Sequence, residues 1–191
     1  INEGSGRTYF LSRPRRFGKS LLISTLLSIF EGRQDLFEGL FIYDKIKWKS
    51  FPIIYLTMDK MNFQDLGLKE TIISSLYKIG KEHNITLVAN DTKTLFEELI
   101  VKLSEKYGKQ VVILIDEYDS PITQPLEKSN FDKAEENRDI LKTFYGALKP
   151  LDKYIRFIFI TGITKFTKVS IFSELNHLTD LTLHNKYTTL L

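Results

Sequence analysis

Five consecutive aliphatic residues, Val111, Val112, Ile113, Leu114 and Ile115, run straight into two acids, Asp116 and Glu117. An uninterrupted apolar run of this kind reads as a strand covered on both faces, since a half-exposed strand alternates apolar with polar side chains. Such strands belong to parallel sheets with helices on either side, and those sheets hold ligands at the carboxyl ends of their strands. Neighbouring segments fit the same plan. Residues 9–11, 51–58 and 156–161 read as further apolar strands, the last ending at Gly162, and residues 178–183 as a fifth. Helical spacings lie between them: Leu22, Leu26, Ile29 and Phe30 after Lys19, with Gly32 placed to end that helix, and Leu68, Ile72, Leu76 and Ile79 within 64–83. Asp91 is placed to cap a helix over 92–107 that Gly108 closes, and a charged helix is expected over 132–148. The stretch holding Pro121 and Pro125 reads as a loop. The expectation is an α/β fold with a mainly parallel sheet, in a single domain over 1–191.

A chain of 191 residues can bury roughly 70% of its unfolded surface without covalent or metal staples. It contains no cysteine, which excludes a disulfide scaffold, a thiolate metal site and a cysteine nucleophile. The net charge of +3 is too small to imply nucleic acid without a local patch. The candidate patches are short: Lys45, Lys47 and Lys49 with Trp48, or Lys165 and Lys168, each equally readable as a solvated edge or loop. The apolar run over 21–30 is interrupted by Ser24, Thr25 and Ser28, and it is half the length of about 20 residues that a spanning helix needs. Neither a membrane segment nor a secretory signal is read, so the cytoplasm is the expected location, and the chain is expected to be a piece of a longer protein. His83, His177 and His184 lack ligand spacing, and Gly4, Ser5 and Gly6 lack the strand context of a nucleophile elbow. Asp132, Glu135, Glu136 and Asp139 read as a solvated helix face.

Two constellations carry chemistry. The first is Gly18, Lys19 and Ser20, between a strand and a helix. A phosphate chain needs inward-pointing backbone N–H groups, a helix N-terminus behind them and a mobile ammonium. Gly18 lets the backbone approach, Lys19 can reach the β- and γ-phosphates, and the Ser20 hydroxyl can ligate Mg²⁺. Arg13 stands where the usual pattern has a glycine, and Pro14 brings no N–H to the cradle. The second constellation is the pair of acids at the end of the 111–115 strand. Asp116 can hold Mg²⁺ through its water, and Glu117 can polarise an attacking water. Thr161, at the end of its own strand, would face the γ-phosphate or that water if its strand lies between the first and third; otherwise it merely caps a strand.

The run from Tyr9 through Arg13, Pro14, Arg15, Arg16, Phe17, Gly18 and Lys19 to Ser20 resembles the bacterial AAA-ATPase-like family. So do Ile115, Asp116, Glu117, Tyr118, Asp119, Ser120 and Pro121, then Thr161, Gly162, Ile163, Thr164, Lys165 and Phe166, then residues 169–176. Glu174 and His177 depart from the glycine and asparagine expected there. The resemblance implies a P-loop NTPase, a three-layer α/β/α sandwich of the additional-strand type with sheet order 5-1-4-3-2. It implies ATP as the nucleotide, and an arginine-rich loop in place of the glycine-rich one. The phosphate-binding set is then Arg13, Arg15, Arg16, Phe17, Gly18, Lys19, Ser20 and Leu21, the Mg²⁺ set Ser20 and Asp116, and the catalytic set Lys19, Glu117 and Thr161. It also implies that a nuclease-like domain often follows. Arg13, Arg15 and Arg16 could stabilise phosphate charge, or form a solvated basic loop, or contact Asp119 or Glu117 in the empty site. Arg138 and Arg156 are either finger candidates or ordinary surface arginines.

The leading expectation is a Mg²⁺-dependent ATPase module whose hydrolysis moves a neighbouring domain or a homo-oligomeric assembly. A kinase is the less favoured enzymatic alternative. A nucleotide-gated scaffold with little turnover and a nucleic-acid-associated module are the alternatives from other classes.

Overall fold

The structure, a computed structural model, describes residues 8–164, 171–172 and 178–182. The features expected at Gly4, Ser5, Gly6, Lys165, Phe166, Lys168, Glu174, His177 and His184 lie outside the described residues, and the strand expected over 178–183 ends at Asp180. Five strands form one sheet: β1 (Thr8–Ser12), β2 (Ile53–Thr57), β3 (Val111–Asp116), β4 (Ile155–Gly162) and β5 (Leu178–Asp180). Their order is β2-β3-β4-β1-β5, and every pairing is parallel. Read from the other edge this is 5-1-4-3-2, the additional-strand order.

Alternation along the strands sorts their side chains into two layers. On β3, Val112 and Leu114 pack with Phe157 and Phe159 of β4, Leu11 of β1 and Ile23 and Phe30 of α1 (Lys19–Phe30). The opposite face carries Ile113, Ile115, Ile158, Ile160 and Phe10. It is covered by α3 (Leu68–Glu82), α4 (Thr92–Tyr107) and α6 (Phe131–Gly146). One helix below and several above make the three-layer α/β/α sandwich. All six residues of β3 are buried, as an apolar run without alternation requires.

Several element boundaries differ from the reading of the sequence, each for a local reason. The helix expected over 64–83 is two: α2 (Phe63–Leu66) and α3 are separated by Gly67, whose φ of 82° lies outside helical space. The stretch with Pro121 and Pro125, read as a loop, is helical as α5 (Ser120–Glu127). Pro121 sits in the first turn, where a missing N–H costs nothing. Pro125 removes the helical bond to the Pro121 carbonyl, and Asn137 of α6 fills the gap, its Nδ2 donating to that oxygen at 2.7 Å. The helix after Lys19 ends at Phe30, and the charged helix runs over Phe131–Gly146. Its Asp132, Glu135, Glu136 and Asp139 are exposed, as expected of a solvated face. No helix among the described residues is long and apolar enough to cross a membrane.

Asp91 caps α4 as its position suggested, accepting the N–H groups of Lys93 and Thr94 at 3.1 and 3.0 Å. Asp91→Ala is expected to lower unfolding free energy by about 1 kcal/mol, the ordinary worth of such a cap. Leu114→Ala, in a fully buried central strand, is expected to cost about 2–5 kcal/mol. Urea unfolding checks both; equal effects would contradict the placement of β3 at the centre of the core.

Candidate functional site

The parity that sorts the core also places the polar groups. Asp116 shares its strand face with Val112 and Leu114, and Thr161 shares its face with Phe157 and Phe159, so both point toward the α1 layer. β4 lies between β1 and β3, and the β3–β4 register, Ile115 beside Ile160, brings Asp116 alongside Thr161. The Thr161 hydroxyl donates to Asp116 Oδ1 and accepts the Glu117 N–H at 3.4 Å. From the first turn of α1, Ser20 Oγ donates to the other Asp116 oxygen at 2.8 Å. Asp116 is buried, and both carboxylate oxygens are used.

The loop from β1 into α1 begins with the Arg13 N–H donating to the Gly162 carbonyl at 3.1 Å. Arg16 and Gly18 both take left-handed backbone angles, with φ of 67° and 69°. Alternation between right- and left-handed residues turns successive N–H groups to the same side, the geometry that receives anions. The first bond inside α1 is from the Leu22 N–H to the Gly18 carbonyl, at 2.9 Å. The three N–H groups before it have no acceptor within the helix. There is no side-chain cap and no acid in the first turn, so the positive end of the helix dipole is left uncompensated.

Lys19 lies across this concavity. Its ammonium donates to the carbonyls of Arg13 and Pro14 at 3.0 and 3.1 Å and pairs with Glu117 Oε1 at 3.1 Å. Its side chain is only 3% exposed, so the three contacts together stand in for the water that burial strips away. Glu117 has a φ of 53°, an arrangement that costs a non-glycine residue about 1–3 kcal/mol and clusters at functional sites. Burial pushes the Glu117 carboxyl above its ordinary range, opposed by the hydrogen bond and charge of Lys19 and aided by the charges of Asp116 and Asp119.

The other residues singled out in the sequence fall as follows. Arg13 turns away from the loop and donates to the Thr182 carbonyl. Arg15 reaches Glu127 at 3.5 Å with both side chains exposed, a pair worth little in water. Arg16 is exposed, as are Phe17 and Leu21, at 56% and 72%. None of the three arginines contacts Asp119 or Glu117; Lys19 has the glutamate, and residues 163 and 164 have the aspartate. Arg138 is held by Glu135 and Asp139 on its own helix. Arg156 lies at the amino end of β4, about 20 Å of strand from the site, so it cannot serve its own chain's Lys19. Trp48 donates its indole N–H to the Tyr43 carbonyl and packs in a tilted arrangement against Phe37, with ring centroids 4.9 Å apart. His83 bonds Tyr107.

The sequence reading missed Asp119 and Gly162 as parts of the site. Asp119 is fully buried, and its oxygens accept the Ile163 and Thr164 N–H groups at 3.0 and 2.7 Å and the Thr164 hydroxyl at 2.8 Å. A side chain on Gly162 would collide with the Tyr118 ring and come within 2.8 Å of Asp119 Oδ1. The signal was a third acid shortly after Asp116 and Glu117, but nothing local says what it accepts.

Comparison with known proteins was made against this geometry. A family model described as "Predicted AAA-ATPase" matches residues 3–172. A protein of Azotobacter chroococcum mcd 1, described as "Uncharacterized protein in vnfD 5'region", is 37% identical over 187 residues. The match covers 97% of this chain and 36% of that relative, so the chain spans about a third of the relative's length.

The electrostatics give a direct check. Nuclear magnetic resonance titration of the Glu117 carboxyl is expected to show protonation above the ordinary glutamate range. Lys19→Met should raise it further, because it removes the cation that opposes burial. A Glu117 that titrates like an exposed glutamate in both proteins would contradict the ion pair and its burial.

Proposed function

Given that this chain belongs to the AAA-ATPase-like family, we propose that it is a Mg²⁺-dependent ATP-binding and ATP-hydrolysing P-loop module, in one domain over 1–191. The observation that carries the reading is the convergence of Lys19, Ser20, Asp116, Glu117 and Thr161 at one sheet edge, in front of the N-terminus of α1. Incoming phosphates would draw the Lys19 ammonium from the Arg13 and Pro14 carbonyls and from Glu117. The free N–H groups of the first turn of α1, with the loop of Arg15, Arg16, Phe17, Gly18 and Leu21, would receive the remaining phosphate oxygens, whereas Arg13 is engaged by the Gly162 and Thr182 carbonyls. Glu117, released from Lys19, would orient a water and accept its proton as that water attacks the γ-phosphorus. The bond from that phosphorus to the β,γ-bridging oxygen would break, releasing ADP and phosphate. Thr161 would hold the Glu117 backbone and contact the same water.

The residues fit a magnesium ion. A hydroxyl and a carboxylate already lie 2.8 Å apart as hard oxygen donors, and Mg²⁺ commonly takes one or two protein oxygens with water and phosphate completing its shell. Ser20 and Asp116 would hold it, Asp116 through a water. Bound there it would neutralise charge on the β- and γ-phosphates.

The rest of the length seen in the relative supports coupling to a neighbouring domain, with association with further copies as the other route. A nucleotide-gated scaffold with little turnover is the second reading, favoured by the engagement of Glu117 with Lys19 at 3.1 Å. Mg²⁺–ATP at 100 times its dissociation constant is expected to stabilise the wild type by about 2.7 kcal/mol. Lys19→Ala, shown to be folded by circular dichroism, should lose that shift. Glu117→Gln should keep binding and lose hydrolysis by about 10²–10⁴-fold. Binding by wild type with turnover no faster than that of Glu117→Gln would establish the scaffold instead.

A further inference from the structure

Asp119 stands at the N-cap of α5, where an aspartate ordinarily accepts N–H groups from the first turn of its own helix. Its side chain makes no such bond. It is fully buried, a costly place for a carboxylate without compensating donors. All three donors it receives come from across the sheet edge: the Ile163 N–H at 3.0 Å, the Thr164 N–H at 2.7 Å and the Thr164 hydroxyl at 2.8 Å. The same seam continues on either side. The Tyr118 N–H donates to the Thr161 carbonyl at 2.9 Å, the Tyr118 hydroxyl to the Thr164 carbonyl at 3.0 Å, and the Glu117 N–H to the Thr161 hydroxyl at 3.4 Å. Gly162 lacks the side chain that would force the two segments apart. Each of residues 117, 118 and 119 is thus tied to residues 161–164, and the first of them, next to Asp116, is a glutamate in left-handed backbone.

We propose that Asp119 is a positioning residue: it clamps the segment after β4 to the turn after β3 and thereby holds Glu117 in place over the P-loop. The proposal rests on the ATPase reading for its consequence and on the hydrogen bonds alone for the clamp. Asp119 is fully buried and its side chain is engaged by residues 163 and 164. Its effect on rate comes through the backbone of Glu117, whose carboxylate must meet the attacking water within a fraction of an ångström. Three of the bonds to Asp119 fall on Oδ2 and one, from the Ile163 N–H at 3.2 Å, on Oδ1, so an amide that keeps its oxygen at the Oδ2 position would still turn its N–H₂ toward the Ile163 N–H.

The test measures Mg²⁺–ATP affinity, hydrolysis and amide hydrogen exchange in wild type, Asp119→Asn, Thr164→Val and Thr164→Ser. Asp119→Asn is expected to keep affinity within about threefold and to lose about 10–100-fold in kcat, with exchange at Glu117, Ile163 and Thr164 accelerated. Thr164→Val removes one of three donors and should lose about 3–10-fold, and Thr164→Ser, which keeps the hydroxyl, should recover most of that loss. Unchanged kcat in Asp119→Asn overturns the proposal. So does a parallel fall of affinity, thermal stability and kcat, which would mark a purely structural role. Should Asp119→Asn not fold, the valine and serine variants decide by the same criteria. Should wild type neither bind nor hydrolyse ATP, the ATPase reading falls by itself. Exchange at Glu117 then decides the clamp: acceleration in Asp119→Asn sustains it, and unchanged exchange overturns it.

Discussion

Burial of β3 and β4 on both faces is the constraint from which the site follows. A strand with helices above and below has no neutral side, so each residue belongs to one layer or the other according to its parity. Apolar residues fill both layers until the strands reach the carboxyl edge. There the next residue of the α1 parity is Asp116 on β3 and Thr161 on β4, and α1 presents Ser20 to them. A slip of one residue in either strand would send its polar group to the α3–α4–α6 layer instead, away from the loop. The register that packs Val112 and Leu114 against α1 is therefore the same fact that sets a carboxylate beside a hydroxyl at the head of that helix.

Buried charge is the second organising element. Lys19, Asp116 and Asp119 are buried, and Glu117 is partly so. Each would be unfavourable alone. They are instead arranged in three sets of contacts. Lys19 balances Glu117 and takes two carbonyls; Asp116 takes two hydroxyls; Asp119 takes two backbone amides and a third hydroxyl. Asp116 and Asp119 are satisfied by neutral donors, so neither consumes the cation. That leaves Lys19, the one buried lysine among the described residues, to Glu117.

How much of this was legible follows from the range of each interaction. The apolar run ending in Asp116 and Glu117, and Lys19 at a strand-to-helix turn, are local patterns and were read directly. The parity of Asp116 was also available by counting along β3. The strand order came from the family resemblance, since no local feature fixes which strand lies beside which. Helix α5 was misread because its weak point at Pro125 is repaired from outside by Asn137, and propensity cannot see a partner on another helix. Asp119 was overlooked for the same reason: its donors, Ile163 and Thr164, come from the end of a different strand. Arg13 reads as a phosphate ligand from its neighbours in sequence, yet its guanidinium donates to the Thr182 carbonyl, just beyond the neighbouring edge strand β5.

The pairing of Lys19 with Glu117 bears on how such a site would be kept quiet. An ammonium and a carboxylate at 3.1 Å in a poorly solvated concavity hold one another more strongly than they would in water. Lys19 supplies the opposite charge that opposes the upward push of burial on the Glu117 carboxyl. On the proposed ATPase reading, a phosphate chain would compete for the same ammonium and weaken its hold on Glu117. The carboxylate would then become more basic, both because the cation has moved and because anionic phosphate has arrived, so that ligand binding and preparation of the base would be one electrostatic event. The clamp at Asp119 has the complementary part: it keeps the Glu117 backbone fixed while the partner of its side chain changes.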